Sequence, residues 1–183
     1  MLIHVRDLEV RAAKFDVELA PGTINFLEEE LRQAGLLKAQ GKAELVLGSL
    51  GEIRVTGHLS VTMENPCDRC LETARFPVDT DFVLYYRPVS EGYGDEKEID
   101  TGEAEMGFYE GDSLELNDVL REQVLLALPM QRVCREDCRG ICPQCGKNRN
   151  LNQCQCHESS SDDRWAALKE LNPVRKGGDE TSY

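Results

Sequence analysis

The sequence predicts an α+β fold: an antiparallel β-meander sheet or partly closed barrel with a buried helix, followed by a C-terminal cysteine-rich module. Three observations predict it. Residues 53–64 alternate between apolar and polar side chains, residues 116–128 form an almost continuous apolar block, and six cysteines lie within residues 134–156. Alternation indicates a strand with one wet face, the apolar block indicates a buried helix, and clustered cysteines indicate a metal-binding module.

The first half of the chain is predicted to be mostly strand. Apolar-rich stretches lie at 2–5, 15–19, 42–47, 53–64, 71–76 and 81–86. Because residues 82–86 are apolar at every position, we expect that strand to lie centrally in the sheet. One helix is predicted after Thr23 and before Gly35, since Ile24, Leu27 and Leu31 would share a face.

The second half begins with an acidic loop at 88–112, in which a short strand is expected around 106–109. A helix capped by Asn117 or Asp118 and running to about Leu128 is apolar around most of its circumference, so it should be buried. We therefore predict a core domain over 1–130, a cysteine module with a terminal helix over 131–172, and a disordered tail over 173–183.

The charge of the chain is polarised. The net charge is −13, and residues 91–122 hold twelve acids and two bases, whereas residues 131–157 hold five bases and two acids. Phosphate repulsion should keep the acidic stretch away from RNA, while the basic segment can approach it. Candidate nucleic-acid-binding residues are Arg132, Arg135, Arg139, Lys147 and Arg149. Without a binding function, the acidic run is interpreted as a solvated loop.

The eight cysteines are the candidate metal ligands. They are Cys134, Cys138, Cys142, Cys145, Cys154, Cys156, Cys67 and Cys70. In Cys142-Pro143-Gln144-Cys145-Gly146, proline starts a tight turn and glycine lets backbone amides face the thiolates. Two such pairs can complete a tetrahedron around Zn²⁺, so we predict one or two structural zinc ions.

The sequence leaves the grouping of the ligands open. Cys142 and Cys145 could pair with Cys67 and Cys70, or they could close a local site with the cysteines at 154 and 156. The local site is favoured because short loops cost less entropy to close. Cys134 and Cys138 would then be spare or join the pair at 67 and 70, and His157 is a possible substitute ligand.

Other chemistry finds less support in the sequence. A redox CxxC pair should open a helix, but the residues after Cys70 resemble a strand. An iron–sulfur cluster is possible but less favoured than zinc. The histidines are scattered, and phosphate loops, nucleophile elbows and HExxH motifs are missing, so we expect no enzyme. The first residues resemble no signal peptide and no apolar run could span a membrane, so we expect a cytoplasmic protein.

The order of motifs is similar to that of the YceD family, the large ribosomal RNA subunit accumulation proteins. The resemblance rests on CDRCLE at 67–72, LNDVLREQVLLALP at 116–129, CRGICPQCG at 138–146, NLN at 150–152 before Cys154-Gln155-Cys156, and Asp163-Arg164. It covers most of residues 1–172 and is most specific over 114–172.

The resemblance implies a non-enzymatic ribosome biogenesis factor needed for accumulation of large-subunit (23S) ribosomal RNA. The expected partner is a pre-ribosomal large-subunit particle, contacted as rRNA or as a basic ribosomal protein, with no membrane and no small-molecule substrate. The alternative is a metal- or thiol-dependent redox protein, or a zinc store, unrelated to ribosomes.

Overall fold

The computed structural model describes residues 1–49, 51–89 and 106–156. Its strands are β1 (Leu2–His4), β2 (Ala13–Leu19), β3 (Arg32–Gln33), β4 (Leu37–Leu45), β5 (Ile53–Pro66), β6 (Thr73–Pro88), β7 (Met106–Tyr109) and β8 (Ser113–Glu115). Its helices are α1 (Val5–Leu8) and α2 (Leu116–Ala127). The fold is mixed and consists mostly of sheet.

The main sheet has the strand order β2-β4-β5-β6-β7, with the short β3 paired beside β5. The pairings from β2 to β6 are antiparallel, as a meander predicts, but β7 joins β6 in parallel. β1 and β8 form a separate antiparallel ribbon. Within the described ranges β2 and β7 are the edge strands and do not pair with each other, so the sheet does not close into a barrel.

The long β5–β6 hairpin is the backbone of the sheet. β5 buries every second side chain from Ile53 to Asn65, interrupted at Gly57, which confirms the predicted alternation. Its register with β6 runs continuously from Ile53 opposite Tyr86 to Pro66 opposite Thr73. The hairpin therefore delivers the Cys67–Cys70 turn to one end of the sheet.

Two glycines in this sheet make room for aromatic rings. Phe15, Gly41, Gly57 and Phe82 stand side by side on four neighbouring strands. A Cβ on Gly57 would lie 2.8 Å from the Phe82 ring and 3.1 Å from the Phe15 ring, so the rings occupy the space of the missing side chains. This row helps to pin the register of the strands.

The predicted helix at 23–35 is wrong. The segment is irregular and ends in β3, while Ile24, Phe26 and Leu31 are buried in the core. The Asn25 side chain accepts a hydrogen bond from the Leu27 amide at 2.9 Å, and Leu27 has a φ of 61°. This local side-chain bond competes with helix formation, so burial of apolar residues prevailed over helical periodicity.

Residues 82–86 bury only one of the two faces of their strand. Phe82 and Tyr86 are buried, but Val83 is 60% exposed and Tyr85 is 39% exposed. Only the last residues of β6 pair with β7, and the stretches predicted at 71–76 and 81–86 form one continuous strand through Pro77. The predicted central position is confirmed, because β6 lies between β5 and β7, although the face of Val83 and Tyr85 is not covered.

The helix α2 is amphipathic, not buried all round. Leu116, Val119, Leu120 and Val124 face the core, whereas Leu126 is 77% exposed. The helix begins earlier than predicted, with Glu115 instead of Asn117 or Asp118 at its N-cap. Neither helix in the described part of the chain is long and apolar enough to cross a membrane.

Several predicted features lie outside the described residues. They are most of the acidic loop (90–105), the ligand candidate His157, the terminal helix and the tail at 173–183. The short strand expected at 106–109 is β7, so that prediction is confirmed.

Candidate metal centres

Cysteines 67, 70, 134 and 138 come together at the turn between β5 and β6. Their sulfur atoms all lie within 4.8 Å of one another. The Sγ atoms of Cys67 and Cys138 are 3.9 Å apart, and those of Cys70 and Cys134 are 3.8 Å apart. We call this group the bridging cluster, because it joins the sheet to the chain that follows α2.

Local backbone bonds shape the turn that carries the first two ligands. The Cys67 amide donates to the Glu72 carbonyl at 2.9 Å, and the Leu71 amide donates to the Cys67 carbonyl at 2.9 Å. Leu71 adopts a φ of 63° to close this turn. Such a left-handed conformation is unfavourable for a leucine, so the turn holds local strain.

Hydrogen bonds beside the cluster connect the segment that follows α2 to the turn between β5 and β6. The Asp68 amide donates to the Arg132 carbonyl at 2.8 Å, and the Arg132 amide donates to the Asp68 carboxylate at 2.6 Å. The Arg132 guanidinium also pairs with Glu28 at 2.5 and 3.1 Å. Because of that pair the pKa of Glu28 lies below its usual value. These bonds deliver Cys134 to Cys67.

The thiols of the bridging cluster differ in acidity. Burial alone would raise the pKa of Cys67, but backbone N–H groups of Cys134, Arg69 and Cys70 point at its sulfur and lower the pKa to about 6. Burial and the neighbouring sulfurs raise the pKa of Cys134 to about 12. Four thiolates so close repel one another, so a bound cation would be needed to hold all four deprotonated.

The cysteines at 142, 145, 154 and 156 form a second group, which we call the local cluster. Their sulfur atoms also lie within 4.8 Å of one another. The Cys142 amide donates to the Lys147 carbonyl at 2.8 Å, and the Gly146 amide donates to the Cys142 carbonyl at 2.8 Å. Backbone amides of Cys145 and Gln144 lower the pKa of Cys142 to about 6.

Backbone contacts place the two clusters side by side. The Ile141 amide donates to the Arg69 carbonyl at 2.9 Å, and Gly140 has a φ of 68°. A Cβ on Gly140 would lie 2.8 Å from the Arg69 carbonyl oxygen, so only glycine allows this approach. The Asn148 side chain adds a bond to Glu72 at 3.3 Å.

Asn150 lies between the cysteines of the local cluster in sequence, but its side chain forms a hydrogen bond with a cysteine of the bridging cluster. Its Nδ2 donates to Cys138 Sγ at 3.4 Å, and its Oδ1 accepts from the Arg139 amide at 2.9 Å. The Arg135 guanidinium donates to the same oxygen at 3.0 Å. Sequence reasoning noted Asn150 only as part of a motif, because nothing in the spacing shows which sulfur its side chain meets.

The five candidate basic residues lie in different surroundings. Arg132 pairs with Glu28, and Arg135 lies 3.2 Å from Asp137. Within the described part of the chain, the side chains of Arg139, Lys147 and Arg149 form no ion pair with an acid, and the first two are exposed. The five residues, predicted as one basic patch, therefore form two groups: two have acidic partners and three have none among the described residues.

Both clusters have the dimensions of a tetrahedral metal centre. Four sulfurs about 2.3 Å from one ion at tetrahedral angles lie about 3.8 Å apart. The separations of 3.8 and 3.9 Å in the bridging cluster match this value. Each cluster supplies four thiol ligands and can hold one ion with no coordination position left open.

Most of the chain matches one known protein family. The profile described as "Large ribosomal RNA subunit accumulation protein YceD" matches residues 55–172, a range that contains all eight cysteines. Uncharacterized proteins of Mycobacterium bovis and Mycobacterium tuberculosis are 32% identical over 120 residues. That match covers 65% of this chain and 55% of the mycobacterial proteins.

A relative from Bacillus subtilis matches over a longer range. The uncharacterized protein YlbN is 21% identical over 176 residues, which is 93% of this chain and 94% of the relative. No solved structure matches the chain.

Proposed function

Since this chain belongs to the YceD family of large ribosomal RNA subunit accumulation proteins, we propose that it is a non-enzymatic ribosome biogenesis factor required for accumulation of 23S-type ribosomal RNA. The family match is the observation that carries the proposal. The partner is a pre-ribosomal large-subunit particle in the cytoplasm. The cysteine module serves to hold a contact surface in shape.

The proposed cofactor is structural Zn²⁺, one ion in each cluster. Four converging thiols are the donor set of structural zinc sites, and a closed set leaves no position for a substrate. Convergence on one point favours a single ion over an iron–sulfur cluster, in which the cysteines bind different irons. Elemental analysis of protein purified under reducing conditions should give about two zinc per chain; stoichiometric iron would contradict this.

The proposed contact with the particle is made by Arg139, Lys147 and Arg149. All three belong to the cysteine module, and their charges are not neutralised by the described acids. At physiological salt, fields are screened over about 8 Å, so a local basic patch can meet phosphates although the chain is acidic overall. Arg132 and Arg135 contribute less, because they already have partners.

Co-sedimentation with large-subunit precursors tests this function. Reversing the three charges with glutamate should remove the protein from the precursor fractions. The matched control reverses Arg6, Arg11 and Lys14, which changes the net charge by the same amount outside the module. The proposal is wrong if both variants behave alike, or if depletion of the protein leaves 23S rRNA unchanged while zinc or thiol balance shifts, as a zinc store or redox protein would predict.

A further inference from the structure

A groove of about 320 Å³ lies between α2, β7 and the β1–β8 ribbon, away from both cysteine clusters. The side chains that matter for its chemistry are those of Leu2, Phe108, Glu110, Arg121 and Glu122. Leu2 is 55% exposed and Phe108 is 56% exposed. The groove therefore offers water an aliphatic and an aromatic side chain next to carboxylates.

The charge of the groove is strongly negative. Among the described residues, its lining includes four acids and one basic residue, Arg121. Arg121 pairs with Asp118 at 2.9 Å, so its charge does not offset the other three acids. The remaining acids are Glu110, Glu115 and Glu122.

Helix geometry explains only part of this charge. Glu115 is the N-cap of α2 and Asp118 lies in its first turn, where acids are stabilised by the helix dipole. Glu110 lies before β8 and Glu122 lies in the second turn, outside that effect. Both side chains belong to exposed residues, and they stand near the exposed ring of Phe108 in the lining.

Tyr86 lines the same groove as Glu122. Burial raises the pKa of Tyr86, and the nearby Glu122 charge raises it further. The phenol therefore stays protonated at neutral pH and adds no charge to the groove.

We propose that this groove binds an arginine-bearing segment of a basic protein. A guanidinium can form forked bonds with carboxylates and stack on an aromatic face at the same time, which a lysine ammonium does less well. Glu110 and Glu122 would take the charge, Phe108 would take the planar face, and Leu2 would contact the aliphatic stem. The carboxylates would repel an RNA backbone from the same place.

This inference goes beyond the proposed function and does not rest on it. Binding of a peptide can be measured on the isolated full chain, without ribosomal particles and with the metal content unchanged. A role in rRNA accumulation can fail while the groove binds arginine, and the reverse also holds.

The test uses a fluorescein-labelled twelve-residue peptide with three arginines separated by glycine and leucine. Its affinity is measured by anisotropy against the full chain and against Glu110→Gln/Glu122→Gln, in which both side chains keep their shape. We expect the affinity to fall about tenfold, within the range for two exposed charge contacts. Asp79→Asn/Asp81→Asn is the control, because it removes two exposed charges on the outer face of β6 and should change the affinity less than twofold.

A second variant tests the aromatic contact. Phe108→Ser should remove the preference for the arginine peptide over a peptide with lysine at the same positions. Equal losses in the two charge variants would show that net charge, not the groove, attracts the peptide and would overturn the proposal. A fluorescein-labelled uridine oligonucleotide that binds the chain and is released by Glu110→Gln/Glu122→Gln would also overturn it, in favour of RNA.

Discussion

The two Cys-x2-Cys turns share one backbone design but lie in different surroundings. In each, the first cysteine accepts a bond from the amide four residues on and donates to the carbonyl five residues on. The fifth residue of each turn has a positive φ, 63° at Leu71 and 69° at Gly146. The same local geometry thus occurs with a leucine in one turn and a glycine in the other.

The difference between the clusters is how far they reach. Cys67 and Cys138 are 71 residues apart, whereas Cys142 and Cys156 are 14 residues apart. Cys67, Cys70 and Cys138 belong to the same buried core as the sheet, and Cys142 does not. A metal in the bridging cluster would close a fivefold longer loop, which costs about 1.4 kcal/mol more in chain entropy. Two clusters with the same four donor atoms can therefore have different structural roles.

Removal of two ligands from each cluster in turn should give the largest difference in stability between the two clusters. Cys67→Ser/Cys70→Ser should lower the free energy of unfolding by about 2–5 kcal/mol, the scale of a lost native cross-link. Cys142→Ser/Cys145→Ser should lower the free energy of unfolding of the sheet by less than about 1 kcal/mol. Zinc analysis should show one ion lost in each variant, and circular dichroism during thermal unfolding gives the stability.

The effect of chelation should extend beyond the cysteine module of residues 131–157. Because two ligands of the bridging cluster lie in the β5–β6 turn, metal removal should also raise amide hydrogen exchange at that end of the sheet. Equal stability losses in the two serine variants would contradict the division into a bridging and a local role.

Asn150 offers a smaller test, since it serves the bridging cluster from outside the ligand set. Asn150→Leu keeps the size of the side chain but removes the bond to Cys138 and the acceptor for the Arg139 amide. We expect a loss of about 1–3 kcal/mol in stability and a loss of metal affinity of about 10–100-fold in this cluster. Competition with a chromogenic chelator measures the affinity. Asn152→Leu, at an exposed position two residues on, should leave both quantities unchanged.

Exchanging the fifth residue of each turn gives the smallest effect and sharpens the comparison. Gly146→Leu should destabilise the local turn by about 1–2 kcal/mol, the usual cost of a left-handed conformation for a residue with a Cβ. Leu71→Gly should recover part of the same strain and stabilise the protein by less than about 1 kcal/mol. Chemical denaturation measures both changes. A loss of stability in Leu71→Gly would mean that the leucine side chain makes contacts that outweigh its backbone strain.

Patterns with a strong period were predicted well. The alternation of β5 requires one buried face whatever surrounds the strand, and the short spacing of Cys142 and Cys145 requires a tight turn. The apolar block before Pro129 is a helix, although its exposed Leu126 shows that apolar composition alone does not reveal which residues are covered. The segment with Ile24 and Leu31 failed because helical spacing in an irregular segment can arise from burial against a sheet.

The sequence by itself determined the β-rich fold around β5, the helix α2, the cysteines as candidate metal ligands and the family. These depend on local period, spacing and motif order, which act between residues close in the chain. Only the tertiary structure decided that Cys134 and Cys138 meet Cys67 and Cys70, that Arg132 is paired with Glu28, and that Phe108 lines one groove with acidic residues. Those contacts join residues far apart in sequence, so they depend on the arrangement of the strands and not on any local pattern.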